Sequence, residues 1–149
     1  MSPLKIHSSD SLDFYSVCTE TELSIPLASS GINAGFPSPA GDFLDEGIDL
    51  NKVLIKHPSA TILGRVKGHS MKDIGIDDGD LMIIDRSNDP TDGKIAVCFI
   101  DGGFMVKRIK VDKDCIWLMP ANENFEPIKV TEDNELLIFG IVAHVIKSF

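Results

Sequence analysis

From residue 61 onward, short apolar runs alternate with turn-forming residues, and this alternation limits the fold more than any other feature of the chain. The turns are rich in Asp, Asn and Gly, which adopt the backbone conformations that tight turns need. Apolar runs rich in Val, Ile and Phe between such turns are typical of β-strands. They cover residues 61–67, 81–86, 94–100, 103–109, 115–119 and 136–147. Asp101-Gly102 separates two of them and predicts a hairpin. The sequence therefore predicts a mostly β fold, a small curled and twisted antiparallel sheet domain.

Residues 1–34 differ in composition from the rest of the chain. They contain eight serines, and their apolar residues follow no sustained helical or strand period. We expect an extended N-terminal arm that is either mobile or takes its order from a surface on which it lies. Asp49 is expected to cap a short helix over residues 50–56, stopped by His57-Pro58. The expected organisation is an arm over residues 1–34 and a single domain over residues 35–149.

Composition excludes several classes of function. The formal net charge is -9 at pH 7 and the isoelectric point is near 4.7, whereas direct DNA binding needs a basic surface. No apolar run approaches the ~20 residues of a membrane span, and no secretory signal pattern is visible. The three cysteines fit neither a disulfide framework nor a metal pattern, and Cys98 is expected to fill the core. We expect a soluble, cytoplasmic protein with no cofactor, no metal, no membrane partner and no direct sequence-specific DNA binding.

Ser70 and Lys107 are the candidate catalytic pair. Ser70 follows Gly68-His69 in a tight-turn sequence, directly after an apolar run. Lys107 lies in a strand-like run, where alternation places it on the same face as Met105 and Ile109. Burial disfavours the charged form of a lysine and can lower its pKa by up to ~3–5 units. A neutral amine can take a proton from a serine hydroxyl, so the two residues suit a serine–lysine hydrolase. Each residue also has an ordinary explanation, a turn serine and a lysine that reaches solvent.

Other catalytic arrangements fit the sequence less well. Lys72 stands where a nucleophile elbow requires glycine. His69 is a poor partner for its neighbour Ser70, and His57 and His144 are expected to be structural. The acidic turn 77–80 is expected to be solvated rather than to hold a cation.

Ala34-Gly35 is the candidate cleavage site. It lies where the composition changes, and an extended segment with little side-chain bulk suits the active site of a peptidase. A tethered substrate also reacts at high effective concentration.

Several segments, in this order, closely resemble the LexA/UmuD family of self-cleaving serine peptidases. They are residues 35–40, 48–51, 57–61, 65–76, 78–81, 104–108 and 139–146. The resemblance covers about residues 34–148, and the arm before residue 34 carries little of it.

The resemblance implies a fold, a reaction and partners. The fold would be the LexA/UmuD C-terminal type, which forms homodimers. Ser70 would be the nucleophile, Lys107 the general base, and the backbone N–H groups of His69 and Ser70 would bind the oxyanion. The chain would cut itself at Ala34-Gly35, with a RecA filament on single-stranded DNA as co-protease. Residues 35–149 would then serve an error-prone, UmuC-like Y-family translesion polymerase in the SOS response.

Three alternatives stay open on the sequence. One is a dimeric binding module of the same fold that does not cleave. Another is a phage-repressor-like self-cleaving regulator, although LexA-type repressors carry a DNA-binding domain where this chain has only the arm. The third is a relative of signal peptidases, against which the lack of an apolar anchor counts.

Overall fold

The computed structural model describes residues 5–8, 12–28, 44–69, 71–131 and 136–149. The chain forms two compact units, one of residues 1–18 with 57–149 and one of residues 19–56. The strands are β1 (Lys5–Ser8), β2 (Leu12–Tyr15), β3 (Ser24–Ala28), β4 (Leu44–Asp49), β5 (Thr61–Val66), β6 (Leu81–Asp85), β7 (Ile95–Ile100), β8 (Gly103–Val111), β9 (Ile116–Met119), β10 (Ile128–Val130) and β11 (Leu136–Ile146). Within these described residues the helices are one α-helix, α1 (Leu50–Leu54), and two short 3-10 helices, Pro58–Ala60 and Lys72–Ile74.

The larger unit is built on one curled antiparallel sheet. Its strand order is β1-β2-β5-β6-β11-β7-β8-β9-β10, and each neighbouring pair is antiparallel. The predicted mostly β fold of the LexA/UmuD C-terminal type is therefore confirmed. In the parts of the chain that the structure describes, no helix has the length and apolar character needed to cross a membrane.

The predicted hairpin connects β7 and β8. Asp101 and Gly102 both have positive φ, 48° and 85°, which is the backbone of a two-residue hairpin turn. Glycine tolerates this conformation because it has no Cβ, and aspartate is among the few other residues that adopt it. The turn sets the register in which Ala96 lies opposite Lys107.

The core consists of two apolar clusters, and alternate residues of the same strand pack in different clusters. On β8, Phe104 and Val106 pack in one cluster, while Met105 and Ile109 pack in the other. This is the alternation that the sequence predicts, and Cys98 is fully buried in the second cluster, as expected.

The arm contains strands that the sequence did not predict. β1 and β2 lie in the large sheet, where β2 pairs with β5, and Leu12 and Phe14 are buried. The sequence shows no strand period before residue 34, because a four-residue strand is too short to show one. β2 is ordered by its pairing with β5, which agrees with the expectation of an arm ordered by a surface. Whether so short a segment forms a strand depends on what it packs against.

The smaller unit consists of β3, β4 and α1. β3 pairs with β4 in an antiparallel pair. Asp49 caps α1 as predicted, because its carboxylate accepts a hydrogen bond of 3.0 Å from the backbone N–H of Asn51. The same carboxylate accepts another from the N–H of Leu23. The helix ends at Leu54, two residues before the predicted end.

Candidate active site

The segment that precedes Ser70 is a turn with a defined backbone. Gly68 has a φ of +107°, a conformation that L side chains rarely adopt. Its N–H donates a hydrogen bond of 2.9 Å to the carboxylate of Asp78. The turn that holds Asp78 is itself joined to β5, because the N–H of Gly79 donates to the carbonyl of Val66. The turn after β5 is therefore held from one side by the acidic segment 77–80.

Asn122 holds the same turn from the other side. Its side-chain amide donates a hydrogen bond of 2.7 Å to the carbonyl oxygen of His69. The side-chain oxygen of Asn122 accepts one from the N–H of Asn124, and the side chain is buried. The N–H of Asp73 also donates to the carbonyl of Ala121. Sequence reasoning missed Asn122, since nothing in the loop sequence distinguishes it from Asn124.

The acidic turn 77–80 is held by a lysine. The ammonium of Lys147 lies 2.7 Å from the carboxylate of Asp77 and 2.6 Å from that of Asp80. These hydrogen bonds raise the pKa of Lys147, and the bond to Lys147 lowers the pKa of Asp77. Asp78 and Gly79 are exposed, as expected of a solvated turn, whereas Asp80 is buried. The sequence did not reveal this contact, because only the fold brings Lys147 to this turn.

Lys107 is buried in the middle of β8. Only 6% of its surface is exposed, and its ammonium lies 5.6 Å from the centre of the Phe125 ring. Among the described residues no carboxylate forms an ion pair with it. Burial lowers the pKa of Lys107 from its ordinary value, and the nearby Cys98 thiol opposes this only in part. The structure thus supplies the desolvated lysine that the alternation of the strand predicts.

A cavity of about 330 Å³ joins the turn to Lys107. It is lined by Val66, Lys67, Gly68, His69, Met71, Phe104, Met105, Val106, Lys107, Phe125, Glu126 and Ile128. Both sequence neighbours of Ser70 therefore face the same space as the candidate base. Ser70 itself lies outside the described residues, as do Ala34 and Gly35.

The cavity lies along an open edge of β8. Residues 103–108 pair with β7 on one side, whereas β9 pairs only from Arg108 onward. In the described part of the sheet, no strand covers the other side of residues 103–107. An extended peptide can add to such an edge through main-chain hydrogen bonds.

The other histidines considered from the sequence lie away from this cavity. Nδ1 of His57 lies 2.6 Å from the carboxylate of Asp85, which also accepts a hydrogen bond from Ser87. Burial opposes the ionisation of Asp85, but the hydrogen bonds from His57 and Ser87 outweigh it and lower the pKa. His144 lies in β11 opposite Ile83. Neither histidine lines the cavity, so both fit the structural role expected for them.

Comparison with known proteins decides the family. A profile of the Peptidase S24-like family matches residues 26–143, most of the chain. The chain belongs to the Peptidase S24-like family. This peptidase is 42% identical to protein SamA of Salmonella typhimurium over 117 residues, 78% of this chain and 81% of SamA. It is also 42% identical to protein MucA of Escherichia coli over 123 residues, 81% of this chain and 83% of MucA.

A repressor is among the relatives of this S24 peptidase. LexA repressor 1 of Pseudomonas syringae pv. tomato is 39% identical over 127 residues, which are 85% of this chain and 62% of the repressor. The predicted family is confirmed. The chain is a self-cleaving serine peptidase with a UmuD-like role in the SOS response.

Proposed function

We propose that Ser70 is the nucleophile and Lys107 the general base of self-cleavage at Ala34-Gly35. The cavity that Lys107 shares with both sequence neighbours of Ser70 is the observation that carries this proposal. The lowered pKa of Lys107 supports it, because a base must be neutral before it can accept a proton.

The proposed reaction has two steps. The neutral amine of Lys107 takes the proton of the Ser70 hydroxyl, and the oxygen attacks the carbonyl carbon of Ala34. The oxyanion accepts hydrogen bonds from the backbone N–H groups of His69 and Ser70. The bond to Gly35 then breaks, with Lys107 returning the proton to the leaving amine. Water, deprotonated by Lys107, hydrolyses the resulting ester, and the carboxyl group of Ala34 is freed from Ser70 as the proton passes from Lys107 to the serine oxygen.

The open edge of β8 gives the substrate a place to bind. A segment that contains Ala34-Gly35 would pair there as an extended strand, with its scissile carbonyl near the end of the turn at Gly68. Small side chains at the bond would allow this close approach. The products would be the arm, residues 1–34, and a domain of residues 35–149.

The partners are further parts of the proposal. A homodimer is supported by β11, whose residues 142–146 pair with β6 on one side while no described strand covers the other. Val145 and Ile146 are 36% and 40% exposed there.

We propose a RecA filament on single-stranded DNA as the trigger and a UmuC-like Y-family polymerase as the partner of the product. The role in the SOS response supports both, and the three free thiols suit a cytoplasmic site.

The first test is the intact mass of the protein after incubation near pH 10. We expect the wild type to lose residues 1–34, because alkaline pH removes the proton from Lys107. Ser70→Ala and Lys107→Ala should keep their full mass. Gly35→Trp tests the bond itself and should also stay whole, because the bulky side chain blocks the bond from the catalytic pair.

Two results would contradict this assignment. Cleavage in Ser70→Ala would mean that another nucleophile acts. An unchanged wild-type mass, both at alkaline pH and with a RecA filament on single-stranded DNA, would favour the dimeric binding module that does not cleave.

Asn122→Ala is expected to slow self-cleavage by between about 10- and 100-fold, because misplacing reacting groups by ~1 Å has effects of this size. The variant removes the hydrogen bond to His69, which holds the turn before Ser70. The rate would be measured by intact mass over a pH series. The pH at which the rate is half maximal should stay unchanged, since Lys107 is untouched. Asn124→Ala is the matched control, because the hydrogen bond that Asn124 donates to Asn122 comes from its backbone N–H, which the substitution keeps. An Asn122→Ala rate equal to that of the control would exclude the positioning role.

A further inference from the structure

The edge of β5 is a strand-binding site that is filled by the chain's own arm. We propose that this site holds β2, with β1 paired to it, after Ala34-Gly35 is cut, so that the arm fragment remains bound to the domain of residues 35–149. The inference rests on the proposed cleavage. Its ligand is an extended segment with apolar residues on either side of an acidic one.

The backbone of β2 continues the sheet at β5. Leu12 lies opposite Val66, and Tyr15 lies opposite Leu63, in an unbroken antiparallel register. Phe14 lies opposite Gly64, where an added Cβ would come within 2.9 Å of Cδ1 of Ile84. A segment in this position gains main-chain hydrogen bonds that do not depend on its sequence.

The side chains of β2 enter the core of the larger unit. Leu12 is fully buried and Phe14 is 2% exposed. The Phe14 ring centre lies 4.8 Å from that of Phe104 and 5.1 Å from that of Phe139. Two of these three rings belong to residues 35–149, so the cut domain would keep the pocket for the third.

The charged contact gives the site its selectivity. Asp13 is buried, and the ammonium of Lys67 lies 2.8 Å from its carboxylate. Ser8 donates a second hydrogen bond, of 2.6 Å, and Lys5 lies 3.5 Å away. The bond to Lys67, with the one to Ser8, lowers the pKa of Asp13 to about 2. Because Lys67 lies beyond the cut, the domain would still present a cation to an acidic residue.

Cleavage at Ala34-Gly35 breaks none of these contacts. Each contact of β2 with the domain joins a residue before 16 to a residue after 60, and β3 of the arm also pairs with β4. The scissile bond lies between these two groups in the sequence. After the bond is cut, β2 is still bound but no longer covalently attached to the domain. Dissociation of the fragment is therefore a separate step.

The test is size-exclusion chromatography of the cut protein at low micromolar concentration, with the mass of each peak measured. We expect residues 1–34 to elute with residues 35–149. A second form carries the recognition sequence of a site-specific protease within residues 29–34, so that the arm can be cut without self-cleavage. If only this form is cut, the proposed self-cleavage fails. Co-elution of its cut arm with the domain still tests whether β5 holds the arm. A wild-type fragment that elutes alone would overturn the inference.

Variants of the arm test the named contacts. Asp13→Lys places two cations together and should raise the dissociation constant of the fragment at least about 10-fold. Asp13→Asn is the milder form in case that variant folds poorly, and it should weaken binding in the same direction. Cys18→Ser changes an exposed residue and should leave the fragment bound as in the wild type. Equal retention of the Asp13 and Cys18 variants would show that the Lys67 contact does not hold the arm.

Discussion

Lys107→Arg is expected to slow self-cleavage by about 100- to 10,000-fold, the usual contribution of a positioned general base. Arginine keeps the positive charge, but a guanidinium does not lose its proton in proteins. The rate would be followed by intact mass between pH 7 and pH 10. In the wild type the rate should rise with pH as Lys107 becomes neutral, and it should be half maximal at a pH below the ordinary pKa of lysine because burial lowers the pKa of Lys107.

Lys110→Arg is the matched control for this variant. Lys110 lies on the same strand but is exposed, so the same chemical change there should leave the rate and its pH dependence intact. A flat wild-type profile from neutral to alkaline pH would contradict the general-base role. So would full activity in Lys107→Arg.

Phe14→Ala is expected to lower the free energy of unfolding by about 3–5 kcal/mol, the usual cost of removing a buried phenylalanine side chain. The ring is 2% exposed and packs against Phe104 and Phe139. The measurement is urea unfolding of the uncut chain, made in the Ser70→Ala background so that the arm stays attached.

Leu23→Ala provides the comparison within the same arm. Leu23 is 49% exposed, and a surface change of this kind usually stays within about 0.5 kcal/mol. A loss below 1 kcal/mol for Phe14→Ala would mean that β2 does not pack against the core in solution.

Strands β5 to β9 and β11 could be predicted because each carries its own signal, whereas the three-residue strand β10 was not predicted. The Asp101-Gly102 turn specifies a hairpin locally, and the alternation along β8 places Lys107 with Met105 and Ile109 before any tertiary contact is known. The beginning of α1 could likewise be predicted, because the side chain of Asp49 caps the helix.

What the sequence did not reveal depends on contacts distant along the chain. β2 is a strand because β5 offers it an edge, and four residues are too few to show the pattern by themselves. Asn122 lies 53 positions from the His69 carbonyl it holds, and Lys147 lies 70 from Asp77. Such polar contacts follow no period along the sequence, so only the folded chain reveals them.

The thiol of Cys98 lies near Lys107, and its pKa affects how readily it reacts with oxidants. Burial raises the pKa of Cys98 to about 11, although Lys107 lowers it in part. At pH 7 the thiolate, which is the form that oxidants and electrophiles attack, is therefore rare. The exposed thiol of the chain, that of Cys18, belongs instead to the arm that the proposed cut separates. The thiol nearest the candidate base is therefore a poor target for oxidants and electrophiles.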